Sequence, residues 1–154
     1  MTHEGRTGAA QAALASLQED AMAETSTRDF TKARQRFPLP DCAYDLLADA
    51  IGTGLSRCSG RPRVLRPDDL CSVILETSLA RFGLAAPGVF GEWGLVEWRE
   101  VGDAIDALLY ADPKSVPAWD GDSILNFSRS DRARLRPGLL AMWEQRFAPQ
   151  IVMR

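Results

Sequence analysis

The sequence contains a single histidine, His3. A Ser-His-Asp or Cys-His arrangement, or a zinc site with a histidine ligand, would therefore have to be built without a histidine from the body of the chain. The three cysteines, Cys42, Cys58 and Cys71, are odd in number and follow no metal-binding spacing, which suits reduced thiols in a reducing compartment. No uncharged apolar run approaches the roughly 18 residues of a membrane-spanning helix, and the first residues show no basic segment followed by an apolar core. The expected location is the cytoplasm, with no membrane. Gly52, Gly54 and Gly60 match neither a phosphate-binding loop nor a dinucleotide fingerprint, so they read as helix termination and turn. Asp120 and Asp122 flank Gly121, but the loop lacks the fifth, sixth and twelfth positions of a calcium-binding EF-hand and reads as a solvated turn. No catalytic, cofactor-binding or metal-binding residue is assigned.

What is present is an ordinary globular composition, 154 residues with 45% hydrophobic and 25% charged, enough for one domain with its own core. The densest apolar patterning falls in residues 66–110. Pro67 suits a first helical position, and Asp68 and Asp69 lie where carboxylates meet the unpaired amides of a first turn. Leu70, Val73, Ile74 and Thr77 form one stripe and Leu75, Leu79 and Phe82 another, so this helix is expected to be buried on several sides until Gly83 ends it. Ala85-Ala86-Pro87 restarts a short helix through Val89, Phe90 and Trp93, which Gly94 stops. From Arg99, the residues Val101, Ile105, Leu108 and Leu109 recur at helical spacing, with Glu100, Asp103 and Asp106 opposite, until Asp112-Pro113 closes the helix. Its outer face is acidic.

The flanks are also helical. Ala10, Ala13, Leu14, Leu17, Ala21 and Met22 mark an amphipathic helix over residues 9–24, able to pack on its own domain or on a partner. Ser26 or Thr27 caps a further turn through Phe30 and Ala33 before the Pro38 and Pro40 pair. Asp41 caps a helix with Ala43, Tyr44, Leu47, Ala48 and Ile51, ended by Gly52 and Gly54. Val64-Leu65 is extended and pairs with residues 123–127 if any sheet exists. Ser130 caps a last helix with Leu135, Leu139, Leu140, Trp143 and Phe147, interrupted at Pro137-Gly138. The fold class is all-α or mainly α, a compact multi-helix domain with room for one short two-stranded appendage. Residues 1–36 form an N-terminal helical extension, 37–127 the helical core, and 128–154 a C-terminal helix packing on that core.

Charge is unevenly spread although the net is only −3. Residues 57–66 carry four arginines and no acid, residues 67–122 eleven acids against three bases, and residues 123–154 six arginines against two acids. Basic flanks folding across an acidic middle explain this most simply, and a docking surface is the sharper alternative. A helix-turn-helix reading of the two helices around Gly94 fails on charge, because Glu100, Asp103 and Asp106 would repel phosphates. Nucleic acid is disfavoured as a partner. If it binds, Arg57, Arg61, Arg63 and Arg66, or Arg129, Arg132, Arg134 and Arg136, contact the backbone without reading sequence. Cys42 sits in the first turn of its helix, where the dipole favours a thiolate, but no base is evident beside it. Trp98 and Trp119, next to charged or proline-rich sequence, read as exposed anchors.

Residues 38–127 resemble an uncharacterised family of small bacterial proteins, with a Trp-Gly-Ile and an Asp-Phe-Gly signature. The matching residues are Ala43-Tyr44, Leu70 to Phe82-Gly83, Val89-Phe90-Gly91-Glu92-Trp93-Gly94-Leu95, Glu100-Val101-Gly102 and Trp119-Asp120. Val101 and Glu100 depart from the Phe and Asp of the second signature. The resemblance implies a fold and carries over no catalytic residue.

These observations lead to an expected non-enzymatic protein-interaction module, an adaptor, inhibitor or immunity-like component. It would meet a partner with a basic surface through Trp98, Glu100, Asp103, Asp106 and Trp119. The alternatives are a nucleic-acid-associated accessory protein using the arginine clusters and an enzyme using Cys42 or the Asp120/Asp122 pair.

Overall fold

The computed structural model describes residues 28–135 and 138–152. The fold is mainly α-helical with one two-stranded parallel sheet. In chain order the elements are α1 (Thr31–Arg36), α2 (Asp41–Ser56), β1 (Arg63–Leu65), α3 (Pro67–Phe82), α4 (Ala86–Glu92), α5 (Trp98–Ala111), β2 (Ser123–Leu125), α6 (Arg129–Arg134) and α7 (Leu139–Val152). Single 3-10 turns occupy Gly83–Ala85 and Pro113–Ser115.

The pair α2 and α3 forms the centre. Pro67 opens α3 at its first position, Asp68 and Asp69 follow in the first turn, and Gly83 at φ +57° closes it where a side chain would be strained. Leu70, Ile74 and Leu75 of α3 are buried with Leu46, Leu47, Ile51 and Leu55 of α2. The run Pro67–Glu92 is long and apolar enough to cross a bilayer, with a mean hydropathy of 1.3. Much of its apolar surface is already spent inside this core.

The end of α2 differs from the sequence reading. The α2 helix does not end at Gly52 and Gly54 but runs through both to Ser56. A Cβ at Gly52 would stand 2.7 Å from the Pro117 carbonyl oxygen, and one at Gly54 would stand 2.8 Å from Leu65 Cδ1. These glycines admit the 113–117 turn and β1 against the helix surface, at a modest cost in helix propensity.

The sheet pairs Arg63 with Ser123, Val64 with Ile124 and Leu65 with Leu125. Strands so short hold through what surrounds them: Leu65 is buried against α2, and Arg63 reaches the loop before β2. At the other end, α1 is short and capped from a distance. Asp112, 7% exposed after α5, accepts the Ala33 N–H at 3.1 Å, while the Tyr44 hydroxyl lies against the Ala33 and Phe37 carbonyls. Locally, Asp29 accepts from Thr31 N and Oγ1, and the caps expected at Ser26 or Thr27 lie outside the described residues. Arg28 then ties the chain to α2 through Asp45 at 2.8 Å and Asp49 at 2.7 Å, and Arg81 of α3 pairs with both carboxylates. Phe30 and Ala33 belong to the same core as α2 and α5. The helix expected over residues 9–24 lies outside the described residues.

The C-terminal segment is held by two anchors. Ser128, rather than Ser130, caps α6 in a reciprocal capping box with Asp131, so the helix starts two residues earlier than expected. Trp143 of α7 is 2% exposed, donates its indole N–H to Ser78 Oγ at 3.1 Å and packs edge-on to Phe90 with centroids 4.7 Å apart.

Candidate functional site

Of the residues expected to meet a partner, four lie on α5 and Trp119 lies in the loop before β2, and the structure gives each of them work inside the fold. Trp98 is 1% exposed and packs edge-on to Phe127, which overturns its expected exposure. Its charged neighbours Glu97 and Arg99 point outward while position 98 rotates into the core. Glu100 accepts from the Glu97 and Val96 amides at 2.7 and 2.9 Å, and Glu97 accepts from the Glu100 amide in return. That is a capping box, so the Glu100 carboxylate serves the helix start. Trp119 is half-buried against the core.

Asp103 and Asp106 hold Arg132. From α6, Arg132 places Nη1 3.3 Å from Asp103 Oδ1 and Nη2 2.8 and 2.9 Å from the two Asp106 oxygens. Its Nε donates to the Phe127 carbonyl at 3.0 Å, and the guanidinium lies 5.2 Å from the Phe127 ring centre. The charge imbalance read from the sequence is thus answered within the fold on this face, and a free acidic stripe on α5 is not what the structure presents.

The first arginine cluster is answered in the same way. Arg57 meets Glu76 at 2.8 Å, Arg61 meets Asp120 at 3.2 Å, and Arg63 meets Asp120 at 3.0 Å and also donates to the Ala118 carbonyl. Arg66 is exposed at the start of α3. Asp120 accepts from Asp122 N and Ser123 Oγ besides the two guanidiniums, which holds its carboxyl below the usual range. A carboxylate so engaged is a structural turn. Among the described residues no group of three or more His, Cys, Asp and Glu side chains is arranged to hold a metal.

Cys42 does lie in the first turn of α2, but burial dominates the dipole. Desolvation pushes its thiol up to about 11, against only partial relief from the Cys42 and Ala43 amides. Burial likewise lifts Cys71 to about 12. Neither is poised as a nucleophile.

A surface feature that the sequence reading passed over is the contact between Arg36 and Tyr110. Tyr110, in the last turn of α5, is 72% exposed, and the Arg36 guanidinium from the last turn of α1 stacks over its ring at 3.7 Å. The signal was available: Tyr110 stands outside the stripe of Val101, Ile105 and Leu108 and so faces solvent. Nothing in the sequence placed Arg36 above it.

No protein-family model, curated protein or solved structure matches this chain.

Proposed function

We propose that the chain is a non-enzymatic protein-interaction module of the adaptor, inhibitor or immunity-like kind, and that its docking surface is centred on the Arg36–Tyr110 stack. The observation that carries the reading is an aromatic ring 72% exposed yet already ordered by a guanidinium 3.7 Å above it. Tyrosine and arginine are enriched in binding hot spots: tyrosine presents a large amphipathic surface at little entropic cost, and an arginine already stacked on it has less freedom left to lose. Here α1 and α5 hold both side chains on regular helices, and Asp112 ties the two helices together.

The partner is acidic on this reading, which reverses the sign expected from the sequence. Lys32 lies one turn before Arg36 on the same face of α1, and Lys114 follows α5. The opposing Asp41 is engaged by Arg34 at 3.2 Å. Membership of the uncharacterised bacterial family and a cytoplasmic setting belong to the same proposal, and the residues around Trp93-Gly94 and Gly102 support the former.

Affinity capture from nuclease-treated lysate tests it. A protein retained by the wild type at low salt, weakened at high salt, and lost with Tyr110→Ser or Arg36→Glu supports the assignment. Equal retention by those variants, or recovery of nucleic acid alone, overturns it.

A further inference from the structure

The groove between the start of α5 and α6 holds more hydrogen-bond donors than acceptors. Two adjoining cavities of about 310 and 230 Å³ share Arg99, Arg132 and Ala133 as walls. Asp103 and Arg129 complete the first, while Glu97, Trp98, Leu135 and Gly138 line the second. Asp103 Oδ1 binds Arg132 at 3.3 Å, and Glu97 accepts the Glu100 amide. Among the described residues, Arg132 is the one donor of the groove tied to a carboxylate at hydrogen-bond distance. Trp98 is 1% exposed and lines the second cavity, with its indole nitrogen closed to solvent, which makes it a reporter of that wall. Arg129 is exposed and forms no ion pair among the described residues, and the exposed Arg99 has only Glu100 Oε2, 3.8 Å away.

We propose that this groove binds an oxyanion, a phosphate or carboxylate group of a small molecule, gripped by Arg99 and Arg129, with the Trp98 ring in the cavity wall beside it. Planar guanidiniums match the paired oxygens of either group and remain charged at any physiological pH. Arg132 is held in place by Asp103 and Asp106 and forms a fixed wall between them. The site stands at the opposite end of α5 from Tyr110, about 20 Å away along a helix of this length, and does not depend on the protein-binding proposal.

The test is a titration of the isotopically labelled protein with inorganic phosphate, and in a separate arm with citrate, at fixed ionic strength. Indole N–H resonances are the readout. The Trp98 signal, assigned with Trp98→Phe, is expected to move saturably. The Trp93 signal, from another buried indole without an acceptor among the described residues, stays still. Arg99→Gln and Arg129→Gln, both at exposed positions, each weaken binding about tenfold, the loss of a charge-assisted contact. The titrant that saturates at lower concentration names the head group. Failure of both to saturate, joint movement of Trp93 and Trp98, or wild-type binding by the two variants would overturn the site.

Discussion

Arg132 lies across Gly102. A Cβ at position 102 would stand 2.1 Å from Arg132 Nε and 2.5 Å from Cζ, so the guanidinium occupies the space that any other residue would fill. Gly102 sits inside α5, where glycine costs about 1 kcal/mol relative to alanine. What it permits is the contact of α6 with α5, the pairing of Arg132 with Asp103 and Asp106, and so a reduction of the negative charge on that face.

Gly102→Ala is therefore expected to destabilise the protein by about 2–4 kcal/mol, through displacement of a buried hydrogen-bonded guanidinium. In an Arg132→Ala background the sign reverses: the space is empty, and alanine gains about 1 kcal/mol of helix propensity. Urea unfolding of the four proteins of this cycle measures both effects. Simple additivity of the two substitutions would contradict the cradle.

Asp112 caps α1 across 79 residues of sequence. Asp112→Ala removes the acceptor of the buried Ala33 N–H and should cost about 1–2 kcal/mol, whereas Asp112→Asn keeps an acceptor and costs less. Amide exchange in α1 is the sharper readout. Protection at Ala33 should fall in the alanine variant, and unchanged protection there would show that α1 is held by other means.

Trp143 fixes α7 to the body of the protein. Trp143→Phe keeps an aromatic ring near Phe90 but loses the bond to Ser78, for about 1 kcal/mol, since Ser78 Oγ retains the Leu75 carbonyl at 2.8 Å. Trp143→Ala also empties the space beside Phe90 and should cost about 3–5 kcal/mol. Equal effects of the two substitutions would mean that the ring contributes nothing to docking.

Buried thiols and a buried phenol make the fold sensitive to alkali. Burial raises Cys42 from 9.0 to about 11, Cys71 from 9.0 to about 12 and Tyr44 from 10.0 to about 12, the last also through the nearby Asp112. In each case the folded state holds the proton more tightly than the unfolded state. The resulting stability is complete below the ordinary values and is lost as pH rises through the folded ones. The urea midpoint should be level up to about pH 9 and fall steadily from there to pH 12. A level midpoint throughout would contradict this, as would rapid labelling of Cys42 or Cys71 by a thiol reagent in the native protein near pH 8.

Local signals carried much of the architecture. Pro67 and Gly83 bound α3, and Val64-Leu65 does pair with the segment after Asp122, because helix caps and short apolar runs act over a few residues. The misreadings share a cause. Gly52 and Gly54 look like a helix stop until Pro117 and Leu65 are seen against them, and Trp98 looks exposed until the rotation of α5 about its axis is known. Asp103 and Asp106 were legible as an outward acidic face, and only tertiary structure supplied Arg132. The Arg36–Tyr110 stack joins two side chains more than 70 positions apart, so no window of sequence could contain it.

The most direct measurement replaces Tyr110 with a photoreactive benzoylphenylalanine and irradiates the cell. If the stack is the docking surface, position 110 cross-links to an acidic protein, the product survives nuclease, and Arg36→Glu abolishes it. The same probe at Ile124, 41% exposed on β2, should give no such product. No product at position 110, or the same product from position 124, would contradict a partner site at Arg36 and Tyr110.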